Sequence, residues 1–132
     1  MRTKQRNNLA ETACHERVAQ NTDVYAVKAR NYKGLRRGSP VFCRNNWHIH
    51  RAAKGGGQIL LCTGGRGWYQ EEGKPARELR TGDVVHIPAN VKHWHGAAPD
   101  SWFSHLAVEV PGENCRSQWC EPVSEEEYQK LK

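Results

Sequence analysis

Two pairs of histidines carry the spacing in this sequence that indicates chemistry: His48 with His50, and His93 with His95. Side chains at positions i and i+2 of a β-strand point to the same face, so each pair projects two imidazoles in one direction. Neutral imidazole is a good ligand for Zn, Fe, Mn, Cu or Ni, and a metal ion needs three or four convergent ligands. A single pair is more often exposed or hydrogen-bonded in a core. Two pairs favour a metal site in which His48, His50 and His93, from two strands, act together with one oxygen donor.

The residues after Val41 have the pattern of short β-strands that such a site requires. Apolar or alternating runs recur there, and Gly, Pro or Asn residues bound each of them. Connections this short leave no room for crossover helices, so the pattern predicts an all-β antiparallel sandwich or barrel. Residues 64–67 contain three glycines and predict a hairpin turn. The predicted strands are residues 47–50, 58–63, 67–70, 76–79, 84–88, 91–95 and 102–110.

The charge of the chain is concentrated at one end. The 132 residues include 20 Lys and Arg against 14 Asp and Glu, a net charge of +6, and residues 1–37 hold nine of the basic and three of the acidic residues. Residues 1–40 have no sustained helical or strand period, so we expect a basic arm or irregular lead-in there, followed by a barrel over residues 41–123. Residues 124–132 predict a short C-terminal helix that a capping box of Ser124 and Glu127 begins. Because the barrel is electrically balanced, we expect no nucleic-acid partner.

The cysteines and the apolar runs indicate a cellular compartment. The five cysteines are odd in number and form no C-x-x-C pair, which argues against a disulfide framework and against a zinc ribbon. The longest apolar run, residues 59–62, is much shorter than the roughly 20 residues of a membrane helix. No apolar leader is recognisable at the N-terminus. We therefore expect a cytoplasmic protein with reduced thiols and no membrane partner.

The histidine pairs belong to two longer motifs that together resemble the cupin superfamily. The first is H-x-H followed by an acidic or amide ligand and, after six residues, a glycine; its residues here are His48, His50, Gln58 and Gly65. The second is G-x5-P-x-G-x2-H; its residues here are Gly82, Pro88, Asn90 in the glycine place, and His93. The resemblance implies a double-stranded β-helix, or jelly-roll barrel, with one divalent metal ion bound by His48, His50, Gln58 and His93. Many cupins are homodimers, so it also implies a homodimer.

Three departures from the cupin pattern affect these expectations. Phe42 takes the place of an upstream glycine, and the first barrel strands are not recognisable before it. Seven residues separate His50 from Gln58 where the family usually has three or four, and we expect the glycines that end this insert to let Gln58 return to the metal. Gln58 also replaces the usual glutamate, so the implied ligands are all neutral. An ion held this way acts better as a Lewis acid than as an electron donor to dioxygen.

A narrower resemblance involves residues 92–99 and 104–107, which read K-H-W-H-G-A-A-P and S-H-L-A. Together with the glutamine ligand, these runs are similar to the manganese-dependent hydroxynitrile lyases of the cupin type. In those enzymes the metal binds the hydroxyl oxygen of a cyanohydrin and a nearby histidine moves the proton. By matching position that histidine is His105, and His95 lies close to the pocket. The alternation along residues 102–110 places His105 mid-strand, on one face with Phe103, Ala107 and Glu109.

These observations predict a metal-binding cupin that acts on a small-molecule substrate. Mn is the first candidate for the ion, and Fe, Zn, Ni and Cu are others. The favoured activity is a lyase that cleaves a C–C bond, with His105 and His95 as catalytic residues. Two alternatives stay open, because many chemistries share one fold and one ligand set. The first is a dioxygenase that uses Fe or Cu at the same ligands, and the second is a non-catalytic cupin that binds a metal or a small molecule.

Overall fold

Eleven strands and one short helix form the part of the chain that the structure, a computed structural model, describes: residues 15–17, 24–29 and 44–131. In chain order the strands are β1 (His15–Arg17), β2 (Val24–Ala29), β3 (His48–Arg51), β4 (Lys54–Gly55), β5 (Gly57–Glu71), β6 (Arg77–Arg80), β7 (Val84–Pro88), β8 (Lys92–Ala97), β9 (Phe103–Glu109), β10 (Gly112–Glu113) and β11 (Arg116–Trp119). The helix is α1 (Glu125–Gln129). At five residues it is far too short to cross a membrane.

Strand β5 runs for 15 residues and connects the two halves of the barrel. Its first part pairs with β7 and β9, which belong to one half, and its second part pairs with β6 and β8, which belong to the other. The main sheet follows the order β1-β2-β9-β5-β8-β3-β11, and β4 pairs with β10 in a separate ribbon. Every one of these pairs is antiparallel, which confirms the all-β antiparallel class that the spacing of the strands predicts.

The hairpin turn predicted at residues 64–67 is wrong, because β5 continues through it. The strand bends there instead of ending: the register with β9 shifts between Cys62 and Gly64, and Gly65 has a φ of +71°. The amide of Arg66 still donates to the carbonyl oxygen of Trp102 at 2.9 Å, so the pairing resumes at once. A Cβ atom on Gly65 would collide with that same carbonyl oxygen. A bulge with a left-handed glycine thus turns the corner between the two halves of the barrel.

The arm or lead-in predicted over residues 1–40 contains part of the barrel. Strand β2 lies within it and pairs over its full length with β9, from Val24 opposite Val108 to Ala29 opposite Phe103. Strand β1 extends the same sheet by pairing with β2. The barrel therefore begins before residue 41. Its edge strands come from a basic segment that shows no clear alternation of apolar and polar residues. A strand in this position is stabilised by its pairing partner and not by its own periodicity.

Two buried clusters stabilise the barrel. The larger fills the space between the halves with residues of β5, β6, β7, β8 and β9: Leu60, Cys62, Tyr69, Leu79, Val85, Ile87, Ala97, Phe103 and Ala107. The smaller joins Trp94 of β8 to Val123 and Tyr128, so helix α1 packs on the outer face of β8. The Tyr128 hydroxyl donates to the Ala97 carbonyl at 2.5 Å. As the sequence predicts, the Ser124 hydroxyl caps the helix by accepting from the Glu127 amide at 3.2 Å.

The corner in β5 yields a prediction about stability. Gly65→Ala should destabilise the fold by more than Gly73→Ala, because both glycines have a positive φ but only Gly65 has a carbonyl oxygen in the place of the new methyl group. The matched control, Gly73→Ala, has open space around its Cβ and should cost only the left-handed strain of about 1–2 kcal/mol. Urea unfolding of the two variants measures the difference, and equal losses would contradict this account of the corner.

Candidate metal centre

The two histidine pairs lie on neighbouring strands and face the same side. His48 and His50 are on β3, His93 and His95 are on β8, and His48 is directly opposite His93 in the antiparallel register. All four residues are buried, the most exposed being His50 at 7%. The ring centroids of His48 and His93 are 4.3 Å apart, and those of His50 and His93 are 5.3 Å apart. The i and i+2 spacing therefore does bring these imidazoles to one place.

Among the described residues, His48, His93 and His95 form a group of three buried histidines that could hold a metal ion. One ring nitrogen of each lies within 4.8 Å of the ring nitrogens that the other two offer. His95 was expected beside the pocket as a catalytic residue, whereas His50 was the expected third ligand. Both belong to the cluster, since the centroids of His48 and His50 are 5.2 Å apart and those of His48 and His95 are 5.7 Å apart.

Main-chain carbonyl groups set the tautomers of two of these rings. His48 Nδ1 lies 2.8 Å from the Asn46 carbonyl oxygen, and His93 Nδ1 lies 2.9 Å from that of Val91. A carbonyl oxygen only accepts, so each Nδ1 carries the proton and donates it. Each Nε2 then keeps its lone pair, which is the arrangement that orients histidine ligands in metal sites. His93 Nε2 is buried and has no hydrogen-bond partner among the described residues.

Burial keeps these imidazoles in the form that binds metals. Burial, and next the proximity of His93, lowers the pKa of His48 to about 3. Burial likewise lowers the pKa of His93 to about 4. Both rings are therefore neutral at physiological pH, and neutral imidazole is the ligand form.

Gln58 and Glu109 form a hydrogen-bonded pair beside the histidines. Gln58, at the start of β5, donates from Nε2 to Glu109 Oε1 at 2.6 Å, and its own Oε1 is buried without a partner among the described residues. The second carboxylate oxygen of Glu109 lies 3.3 Å from His50 Nδ1, and His50 Nε2 is likewise buried without a partner there. Burial raises the pKa of Glu109, but its hydrogen bonds with His50 and Gln58 and its charge interactions with His50 and His48 together lower it by more, so the carboxyl pKa lies below its ordinary value.

The insert between His50 and Gln58 folds into a turn that returns the chain to the site. It contains β4, and the three glycines that end it, residues 55–57, all have positive φ angles of +62°, +76° and +101°. Asn90, in the glycine place of the second motif, has a φ of +67°, a conformation that asparagine tolerates. Its side chain also donates to the Ala52 carbonyl at 2.9 Å, which a glycine could not do. Asn90 therefore fastens the insert as well as forming the turn.

His105 lies on β9 next to His95. Its side chain is 1% exposed, its ring meets that of His95 edge-on with centroids 4.9 Å apart, and the ring of Phe103 stacks on it at 4.9 Å. The burial of alternate residues along β9 confirms the face on which the sequence places Phe103, His105 and Ala107. Two histidines of different strands, both predicted as catalytic, thus lie in contact.

A cavity of about 570 Å³ opens beside this cluster. His48, His50, Gln58 and His95 line it, while the more deeply buried His93 and His105 contact its lining histidines. Several other residues line the cavity that the motifs do not predict as site residues: Asn45, Arg51, Glu109, Cys115, Arg116 and Trp119. The sequence does contain a signal that could have found Glu109, because this residue lies four positions after His105 and therefore on the same face of the strand. For Trp119 none exists, because all four residues of β11 are exposed and show no alternation.

Comparison with known proteins gives the family. No protein-family model matches the chain. The (R)-mandelonitrile lyase of Granulicella tundricola is 40% identical over 87 residues, 66% of this chain and 63% of the relative, so the match spans less than two thirds of that enzyme.

Solved structures share the fold of this chain. A protein with a double-stranded β-helix domain from Klebsiella pneumoniae superposes with a TM-score of 0.56 at 16% identity, over 89% of this chain and 99% of its own, and this likeness concerns the fold alone. A cupin-like protein of Thermotoga maritima superposes with a TM-score of 0.65 at 44% identity, over 84% of this chain and 73% of its own. The double-stranded β-helix that the two motifs implied is thereby confirmed, and the chain belongs to the cupin family.

Proposed function

We propose that this protein is a metal-dependent lyase that cleaves a small 2-hydroxynitrile into a carbonyl compound and cyanide. The observation that carries the proposal is that three lone-pair atoms of the assigned ligands, His50 Nε2, His93 Nε2 and Gln58 Oε1, are buried with no hydrogen-bond partner in the described part of the chain. Buried polar atoms left unpaired are costly and rare, which favours a bound group at these atoms. A divalent cation fits, because all three atoms are lone-pair donors. The relative that is a mandelonitrile lyase supports the choice of reaction.

We assign the ligands as His48, His50, Gln58 and His93. The alternative is that His95 takes the place of His50, since its ring nitrogens lie close to those of His48 and His93. However, His95 Nε2 lies 3.1 Å from the side-chain nitrogen of Asn45, and an amide N–H donated there engages the lone pair. No such donor faces His50 Nε2 among the described residues. We therefore assign His50, and not His95, as the third histidine ligand.

The cavity suits a small substrate with an apolar group. Its volume of about 570 Å³ lies within the usual range of ligand pockets, roughly 300–1,000 Å³. The exposed indole of Trp119 lies on its lining, with its ring 4.9 Å from that of His48. An aromatic or aliphatic substituent of the substrate would pack on this indole while the hydroxyl group faces the histidines.

In the proposed mechanism a histidine moves one proton between two substrate atoms. The divalent ion, when bound, supplies Lewis-acid stabilisation of the substrate oxygen. One of the two predicted catalytic histidines, His105 or His95, accepts the hydroxyl proton; the C–C bond breaks, its electron pair leaves with cyanide, and the hydroxyl carbon becomes a carbonyl carbon. The same histidine then returns the proton to cyanide, so its charge is unchanged over the cycle. The ring of His105 packs edge-on against His95 and restricts its orientation.

Metal content tests the site before any activity is measured. The His48→Ala, His93→Ala double variant should lose the metal that the wild type retains after purification in Mn²⁺, because both rings belong to every ligand set above. His86→Ala is the matched control, since His86 is exposed on β7, and it should keep the metal. Elemental analysis measures the ion per chain. Unchanged metal in the double variant would refute the site.

Two single variants distinguish the two ligand assignments by their affinity for Mn²⁺. His50→Ala should weaken Mn²⁺ binding, whereas His95→Ala should leave the dissociation constant within about threefold of the wild type, below the 10–100-fold losses typical of disturbed metal sites. Titration calorimetry with Mn²⁺ measures both constants. The reverse result would make His95 the third histidine ligand and remove it from the proton-transfer role.

Activity on mandelonitrile separates the three candidate functions. The loaded wild type should release cyanide without consuming oxygen, and His95→Ala and His105→Ala should each lower kcat, by about 10²–10⁴-fold for the residue that transfers the proton. A cyanide assay and an oxygen electrode give these readouts. Substrate-dependent oxygen uptake would indicate the dioxygenase instead. Ligand-induced stabilisation without turnover would indicate a binding protein.

A further inference from the structure

Glu109 lies where two strands bring a carboxylate against the metal-facing residues. In the pairing of β5 with β9, Gln58 and Glu109 are direct partners, although 51 residues separate them in the chain. Cross-strand partners have their Cβ atoms about 4.5–5.5 Å apart, so the contact follows from the register. Glu109 is also the only acidic residue among the described residues that line the cavity.

The carboxylate decides which end of the Gln58 amide faces the candidate metal position. An amide has a donor end and an acceptor end, and only the acceptor end, Oε1, can bind a cation. An ionised carboxylate only accepts, so Glu109 Oε1, at 2.6 Å, must face the Gln58 NH₂ group. The Gln58 oxygen is therefore turned away from Glu109, and it is one of the buried atoms that lack a partner in the described residues.

The second oxygen of the same carboxylate acts on His50. Glu109 Oε2 lies 3.3 Å from His50 Nδ1 and favours the tautomer with its proton on that nitrogen, which leaves Nε2 as the lone-pair donor. His48 and His93 obtain the same tautomer from main-chain carbonyl groups instead. Glu109 is thus the side chain that orients two of the four assigned ligands.

We propose that Glu109 is the positioning residue of the metal centre, where it orients Gln58 and His50 and supplies, one hydrogen bond outside the ligands, the negative charge that the ligands lack. The inference rests on the proposed metal site. It changes the expectation drawn from Gln58, because the charge of the ion is compensated from outside the ligand set. A hydrogen bond from a ligand to a carboxylate makes that ligand more basic, so Glu109 strengthens both donors.

Substitution of Glu109 tests this role by metal affinity and does not require turnover. Glu109→Gln keeps the size of the side chain but removes its charge, and it should weaken Mn²⁺ binding about 10–100-fold. Glu126→Gln is the matched control, because Glu126 lies on α1 with its side chain 83% exposed; it should bind as the wild type does. Titration calorimetry gives the constants, and the electron paramagnetic resonance of bound Mn²⁺ should change in Glu109→Gln alone. Unfolding of the metal-free variants checks that both fold.

A double-mutant cycle tests whether Glu109 acts through Gln58. In a Gln58→Ala background, Glu109→Gln should cost at least threefold less affinity than it does in the wild type, because one of its two partners has already gone. Additive losses, or equal affinity of Glu109→Gln and the wild type, would overturn this inference alone. Failure of the wild type to bind Mn²⁺ would overturn the proposed function and this inference with it.

Discussion

The pairing of β3 with β8 is the constraint on which the rest of this molecule depends. It places His48 opposite His93, so that all four histidines of the two pairs face one side. A slip of β8 by one residue would turn His93 and His95 to the other face of the sheet, away from His48 and His50. The outward residue between the β8 histidines, Trp94, opposes such a slip, because it is fully buried against Val123 and Tyr128 and donates to Gln70 at 2.9 Å. Packing of helix α1 on the outer face of β8 thereby fixes the register between β3 and β8 that places the histidines on the inner face.

Burial of several imidazoles at one place requires surrounding groups that keep the rings neutral and hydrogen-bonded. The rings must stay neutral, since burial strongly disfavours the charged form, as the low pKa of His48, about 3, and of His93, about 4, indicate. Two main-chain carbonyls and one carboxylate, Glu109, accept the Nδ1 protons. The Nε2 atoms of His50 and His93 are buried without a hydrogen-bond partner in the described residues, so binding of the proposed cation would offset a cost of the fold.

The sequence predicts most of what depends on local periodicity. The alternation of strands β7 and β9, the inward face of the H-x-H pairs and the Ser124 cap all follow from spacing within a few residues. Strands stabilised by their partners were harder to predict. β2 has no clear alternation and pairs with β9 far along the chain, and β11 is exposed at every position. The glycines of the β5 corner predict a hairpin, which is wrong, because glycine serves both a hairpin turn and a bulge and only the register with β9 distinguishes them.

The residue types and their spacing alone determined that this is a barrel of antiparallel strands with a cluster of imidazoles and one amide, because side-chain direction in a strand alternates with a period of two. The tertiary structure decided which of these groups come into contact and which residues hydrogen-bond to them. In the structure His95 lies close to His48 and His93. The cupin motif leads one to expect His50 in that place. The tertiary structure also placed Glu109 against Gln58 across 51 residues of sequence. Such contacts depend on the register between distant strands, and the periodicity of a single strand carries no information about register.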